Sequence, residues 1–157
     1  MSKVKFKYPL NIEAKDNQTG LTGIISGGGE LVNGCVRYHI QPRAKPTENT
    51  IPDQWEIDEH NVSVAGKHKA WVHKFQYRTG DRVKSKINGY TGFVHSRNIS
   101  ANGCEEYIVE GDFKDGKRVR VAMVKQEIEF IDSGINKQLE NKKSSSGCIS
   151  ASRKDRG

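Results

Sequence analysis

No apolar run in this chain approaches the roughly 18 residues needed to cross a bilayer, and no signal-peptide pattern follows Met1-Ser2-Lys3. A soluble, cytoplasmic protein with no membrane partner is expected. Cysteine is scarce: Cys35, Cys104 and Cys148 form no Cys-x-x-Cys and no Cys/His cluster at zinc spacing, which argues against a metal site and fits a reducing compartment. His68 and His73 have no ligand-type neighbour at useful spacing and read as solvated. No Ser/His/Asp set and no paired-carboxylate motif stands out, and Asp58-Glu59-His60 reads as a polar turn. The chain is therefore expected to be non-enzymatic, with no cofactor. Proline is scarce too. Three of the four, Pro42, Pro46 and Pro52, fall in residues 42–52, which makes that segment a stiff exposed loop.

What the chain does have is a repeat. Asn33-Gly34-Cys35-x-x-Tyr38 returns 69 residues later as Asn102-Gly103-Cys104-x-x-Tyr107, and the offset holds without a gap back to Lys5, Phe6 and Tyr8 against Lys74, Phe75 and Tyr77. Gly20, Thr22 and Gly23 likewise match Gly89, Thr91 and Gly92. Beyond the proline loop the offset drops to 66, because the second copy uses a tighter Asp115-Gly116 turn; Trp55 then meets Val121, Ile57 meets Met123 and Val62 meets Ile128. The division implied is repeat 1 at 3–65, a linker at 66–73, repeat 2 at 74–132 and a polar, basic, flexible tail at 133–157 that has too little apolar surface to fold alone.

Within each repeat, short alternating stretches are separated by Gly, Asn-Gly and Asp-Gly turns, the pattern of an all-β barrel or sandwich. Asn33-Gly34 predicts a two-residue type I′ hairpin. By period two, Val36, Tyr38 and Ile40 share one face while Cys35, Arg37 and His39 share the other; Tyr38, Ile40, Tyr107 and Val109 are the expected core anchors. Cys35 and Cys104, alike in position, read as small packing residues. Gly27-Gly28-Gly29 predicts a bulge, a bend or the close approach of another backbone; a phosphate-cradling loop would need a following Lys-Ser/Thr and helix, which are missing.

The net charge of +7 is unevenly spread. Residues 1–70 hold nine Lys/Arg against eight Asp/Glu, residues 71–132 eleven against nine, and residues 133–157 six against two. The folded part is thus only mildly basic. Its positive residues nonetheless form two rows at strand spacing: Arg82, Lys84 and Lys86, and Arg118 with Arg120. The tail adds Arg153, Lys154 and Arg156.

Gly80-Asp81-Arg82-Val83, then Gly89-x-x-Gly92-Phe93-Val94, Tyr107-Ile108-Val109 and a Val-rich last strand resemble the SH3-like small barrels of the KOW and Tudor type. The Asn-Gly-Cys-x-x-Tyr hairpin with Trp55-Glu56-x-Asp58-Glu59 also resembles small proteins carried by tailed bacteriophages and prophages. The likeness covers residues 3–132. Asn11-Ile12-Glu13-Ala14 departs from it where repeat 2 has Gly-Asp-Arg-Val. It implies two tandem barrels and a binding role in a host cell's cytoplasm or in a virion. The first reading is a nucleic acid or ribonucleoprotein partner, held by the two basic rows and the tail, with Tyr90 and Phe93 available for base stacking if exposed. The second is a protein partner, in a virion or a host complex, met by Trp55 and the proline loop with Arg43 and Lys45.

Overall fold

The computed structural model describes residues 2–114 and 116–135. The described chain is all-β, with every strand pairing antiparallel. The first repeat contributes β1 (Ser2–Phe6), β2 (Glu13–Asp16), β3 (Thr22–Leu31), β4 (Val36–Gln41), β5 (Trp55–Asp58), a 3-10 turn at Glu59–Asn61, and β6 (Val62–Ser63). The second runs through the same series: β7 (Trp71–Phe75), β8 (Arg82–Ser85), β9 (Thr91–Ser100), β10 (Glu105–Lys114), β11 (Lys117–Val124), a 3-10 turn at Lys125–Glu127, and β12 (Ile128–Asp132). Trp71, Val72 and His73, placed in the linker by sequence, open β7.

In each repeat a long bent strand, β3 or β9, pairs with three neighbours, and the last strand returns after the 3-10 turn to the second, β6 to β2 and β12 to β8. The expected closed barrel does not form. Among the described residues no ladder joins β5 to β6 or β11 to β12, because a 3-10 turn follows β5 and β11 directly and carries the chain to the far edge. The hairpin prediction is also corrected. A type I′ turn needs positive φ at both central residues, yet of Asn33 and Gly34 only Gly34 has it, at 89°. Instead Gly34 N–H donates to Leu31 O and Leu31 N–H to Cys35 O, the pattern of a three-residue loop with a glycine bulge. The Asn33 side chain stays in use as an acceptor for Cys35 N–H, and Asn102 does the same for Cys104 N–H.

The two repeats meet through an internal two-fold. In the β1–β7 ribbon Val4 lies opposite His73, and between β3 and β9 Gly29 lies opposite Asn98. Each is the same repeat position facing itself, as an isologous interface requires. The cross-contacts obey the same symmetry: Val32 N–H donates to His95 O and Ala101 N–H to Ser26 O, both at 2.8 Å. Ser26 and His95 sit where β3 and β9 bulge, so the irregularity frees a carbonyl for the other repeat. The three glycines are explained by close approach. A Cβ on Gly29 would lie 2.5 Å from Arg97 O and 2.0 Å from the Asn98 side chain.

One contiguous core spans both halves, from Val4, Phe6, Ile25, Tyr38 and Ile40 to Phe75, Val94, Tyr107, Val109 and Met123. Two cores of about 60 residues would each be marginal; the shared interface merges them. Tyr38, Ile40, Tyr107 and Val109 are fully buried, as their spacing implied, whereas Cys35 is buried and Cys104 exposed.

The two central tyrosines brace the same turn twice. Tyr38 Oη accepts from Lys7 N–H and Tyr8 N–H at 2.9 and 3.0 Å, and Tyr107 Oη accepts from Gln76 N–H and Tyr77 N–H at 3.1 and 3.3 Å. Tyr8 and Tyr77 in turn donate to Val62 O and Ile128 O, fixing the last strand. The acceptor for the central hydroxyl has moved between copies. Tyr38 donates to Glu59, from the 3-10 turn; Tyr107 donates to Glu105 at 3.2 Å, from its own strand. Lys125, which stands where repeat 1 has Glu59, pairs with Glu105 at 3.1 Å.

Candidate nucleic-acid interface

Arg82 and Lys84 alternate along β8 with buried Val83 and Ser85, and Lys86 follows; all three basic side chains are exposed. Among the described residues no carboxylate reaches them within ion-pair distance. The neighbouring strand is acidic, however: Glu129 lies in register with Lys84 and Asp132 with Arg82. Lys86 Nζ is 3.5 Å from Gln126 O. The row is free but flanked, so its field is weaker than three charges in isolation.

The second row is held differently. Arg118 Nη1 donates to Glu110 Oε1 at 2.8 Å and Arg120 Nε to Glu110 Oε2 at 2.7 Å. Two guanidiniums on one carboxylate leave a single net charge. The hydrogen bond from Arg118, then that from Arg120, holds the Glu110 carboxyl below its ordinary pKa. His95 Nδ1 lies 3.6 Å from the same carboxylate. Its pKa is pushed down, first by burial and then by the Arg120 charge. These groups border a groove of about 320 Å³ lined by Val32, Phe93, His95, Glu110 and Arg118.

The stacking residues are committed. Tyr90 Oη donates to Val119 O at 2.8 Å and its ring lies against Gly111, where a Cβ would meet the hydroxyl at 2.2 Å. Phe93 is half-buried in the groove wall. On the opposite repeat, Arg43 and Lys45 are exposed in the proline loop, 3.9 Å from Glu13 and 3.6 Å from Glu48. Trp55 is half-buried on β5, and its Nε1 has no hydrogen-bond partner among the described residues. Arg153, Lys154, Arg156 and Cys148 lie outside the described residues.

Sequence reasoning missed a third basic group. Lys3, Lys5 and Lys74 all project from the outer face of the β1–β7 ribbon, opposite the buried Val4, Phe6 and Phe75. Lys3 stands directly across from Lys74, and Val72 across from Lys5. Only the cross-repeat pairing brings Lys74 beside Lys3. The available signals were the alternation of Lys3, Lys5 and Lys7 and the identity of Lys5 and Lys74 in the repeat.

Among the described residues no helix is long and apolar enough to cross a membrane, and no group of three or more His, Cys, Asp and Glu could hold a metal ion. No protein-family model, curated protein or solved structure matches the chain.

Proposed function

We propose that the chain is a non-enzymatic binding protein of the kind carried by tailed phages, made of two fused SH3-like units that contact nucleic acid or a ribonucleoprotein. The SH3-like reading is supported by the five-strand meander whose final strand returns to the first after a 3-10 turn, in both repeats. The nucleic-acid reading is carried by the exposed basic residues that enter no ion pair among the described residues, Arg82, Lys84 and Lys86 foremost. Arg118 and Arg120 contribute less, since Glu110 offsets half their charge.

A protein partner is the second reading. It is favoured by Ile51, 79% exposed in the proline loop close to Trp55 in sequence. Pull-down from cell lysate at about 0.1 M and about 0.5 M salt, with and without nuclease, separates the two, because phosphate contacts weaken steeply over that range. Loss of the bound material to nuclease and salt supports the first. A single protein retained through both treatments overturns it.

A further inference from the structure

We infer that the outer face of the β1–β7 ribbon docks double-stranded DNA, with Lys3, Lys5 and Lys74 on its phosphates. The inference rests on the nucleic-acid reading above and gives it a surface.

Three observations converge on it. First, β1 and β7 form a two-stranded sheet of their own, five residues to a strand, hydrogen-bonded to neither of the repeats' main ladders. Second, its outer face carries Lys3, Lys5 and Lys74 with the 52%-exposed Val72, and among the described residues none of the three ammonium groups has a carboxylate within ion-pair distance. Glu59 borders the groove beside Lys5 and Lys7, but its carboxylate already accepts from Lys7 N–H and from Tyr38 Oη. Third, Lys3 and Lys74 are directly cross-strand. Like charges at that position destabilise a sheet, and nothing among the described residues compensates them. A polyanion would.

The shape selects which polyanion. Two strands about 4.8 Å apart and about 16 Å long make a ribbon of the width that the roughly 12 Å major groove of B-form DNA admits. The two-fold through Val4 and His73 crosses the middle of the ribbon. It sets Lys5 and Lys74 at equivalent positions on the same outer face, diagonally across the two strands, so that each is offered to the backbone on its own side of one groove. The contacts are to phosphate and carry no base sequence.

The test is fluorescence anisotropy with the full chain on a random-sequence duplex DNA of about two helical turns, and on single-stranded RNA of equal length. Wild type is compared with K3Q/K5Q/K74Q and with R82Q/K84Q/K86Q, from about 0.05 to about 0.2 M salt. The ribbon variant is expected to bind duplex roughly tenfold more weakly or worse at low salt, and to lose about three units of the log–log salt slope. Its melting temperature should equal or exceed that of wild type, and K3R/K5R/K74R should restore binding. Salt-dependent binding by wild type that the ribbon variant leaves intact overturns this inference alone. A ribbon effect confined to the RNA overturns the assignment to duplex. No binding of either probe by wild type overturns the nucleic-acid reading itself.

Discussion

Arg97 of β9 reaches across the internal two-fold to Glu30 of β3, with Nη2 2.8 Å and Nε 3.2 Å from the same carboxylate oxygen. The guanidinium is all but buried; it also donates to Tyr77 O and Ser2 Oγ at 3.0 Å and lies over the Phe75 ring. Its counterpart in repeat 1 is Gly28, where a Cβ would meet Phe6 at 2.8 Å, and Phe6 stacks instead on Trp71. The two ends of the interface have thus diverged. One is filled by the Phe6 ring against a glycine with an indole stacked on it, the other by a guanidinium over the Phe75 ring that donates to a serine.

Arg97→Ala should therefore cost about 3 kcal/mol, because it leaves Glu30 and the Tyr77 carbonyl without their donor and opens space over Phe75. Glu30→Gln should cost about 1 kcal/mol, since that side chain is partly exposed and keeps a neutral acceptor. Urea unfolding at neutral pH measures both. Equal effects would mean that the packing of Arg97, not its charge network, is unimportant.

Gly29→Ala tests the close approach of β3 and β9. The added methyl meets Asn98 Oδ1, which can swing away, and also Arg97 O, which cannot without moving the strand. The expected loss is about 2 kcal/mol, and the double variant Gly29→Ala with Asn98→Gly should recover only a small part of it. Full recovery would place the conflict in the Asn98 side chain alone.

The series of strands was legible because duplication writes it twice, but its boundaries were not: Val4–Phe6 lies in β1, while Trp71, Val72 and His73 of the matching β7 read as linker. The core anchors Tyr38 and Tyr107 followed from period-two alternation. What could not be read was the partner of each strand. Lys3 meets Lys74 and Gly29 meets Asn98 through contacts 71 and 69 residues apart, set by shape rather than by any local pattern. The loss of Arg118 and Arg120 to Glu110 was not legible either. Counting back along β10 and β11 from Lys114 and Lys117 brings Glu110 opposite Val121; only the register shift between Glu110 and Phe113 sets it opposite Arg120, and no local pattern announces that shift. The hairpin at Asn33-Gly34 misled because Asn-Gly serves two turn types, and the bulged one was chosen.

Replacing either central tyrosine by phenylalanine should destabilise the fold by about 2 kcal/mol, since each change strips the acceptor from two backbone N–H groups. Tyr38→Phe should be the milder of the two, because Glu59 Oε2 also accepts from Lys7 N–H at 3.0 Å. Burial, aided by the hydrogen bond to Glu59, raises the Tyr38 hydroxyl pKa far above its ordinary value; burial also raises Tyr107, whose neighbour Glu105 adds to the effect. With the folded pKa above the unfolded one, the unfolded chain ionises first. Stability should therefore decline once pH passes about 10. Ultraviolet titration should show Tyr38 and Tyr107 ionising only as the protein unfolds.

At the acid end the same linkage runs the other way, and Glu110 is the group to follow. Arg118 and Arg120 lower its folded pKa below the ordinary carboxylate range. The stabilisation is fully present above the unfolded pKa and disappears as pH falls through the folded one. The guanidiniums are 65% and 56% exposed, so solvent screens the pair and about 1 kcal/mol is the fitting scale. Glu105 falls in the same window: burial opposes its ionisation, but the Lys125 hydrogen bond and charge, with Tyr107 and His73, outweigh it. Glu110→Gln should consequently unfold at lower urea than wild type at pH about 7, and the difference should shrink as pH falls from the unfolded pKa through the folded one. It should also free Arg118 and Arg120 for other anions, so its affinity for nucleic acid should rise while its stability falls. A variant weaker in both would make Glu110 the scaffold on which those two arginines reach their ligand.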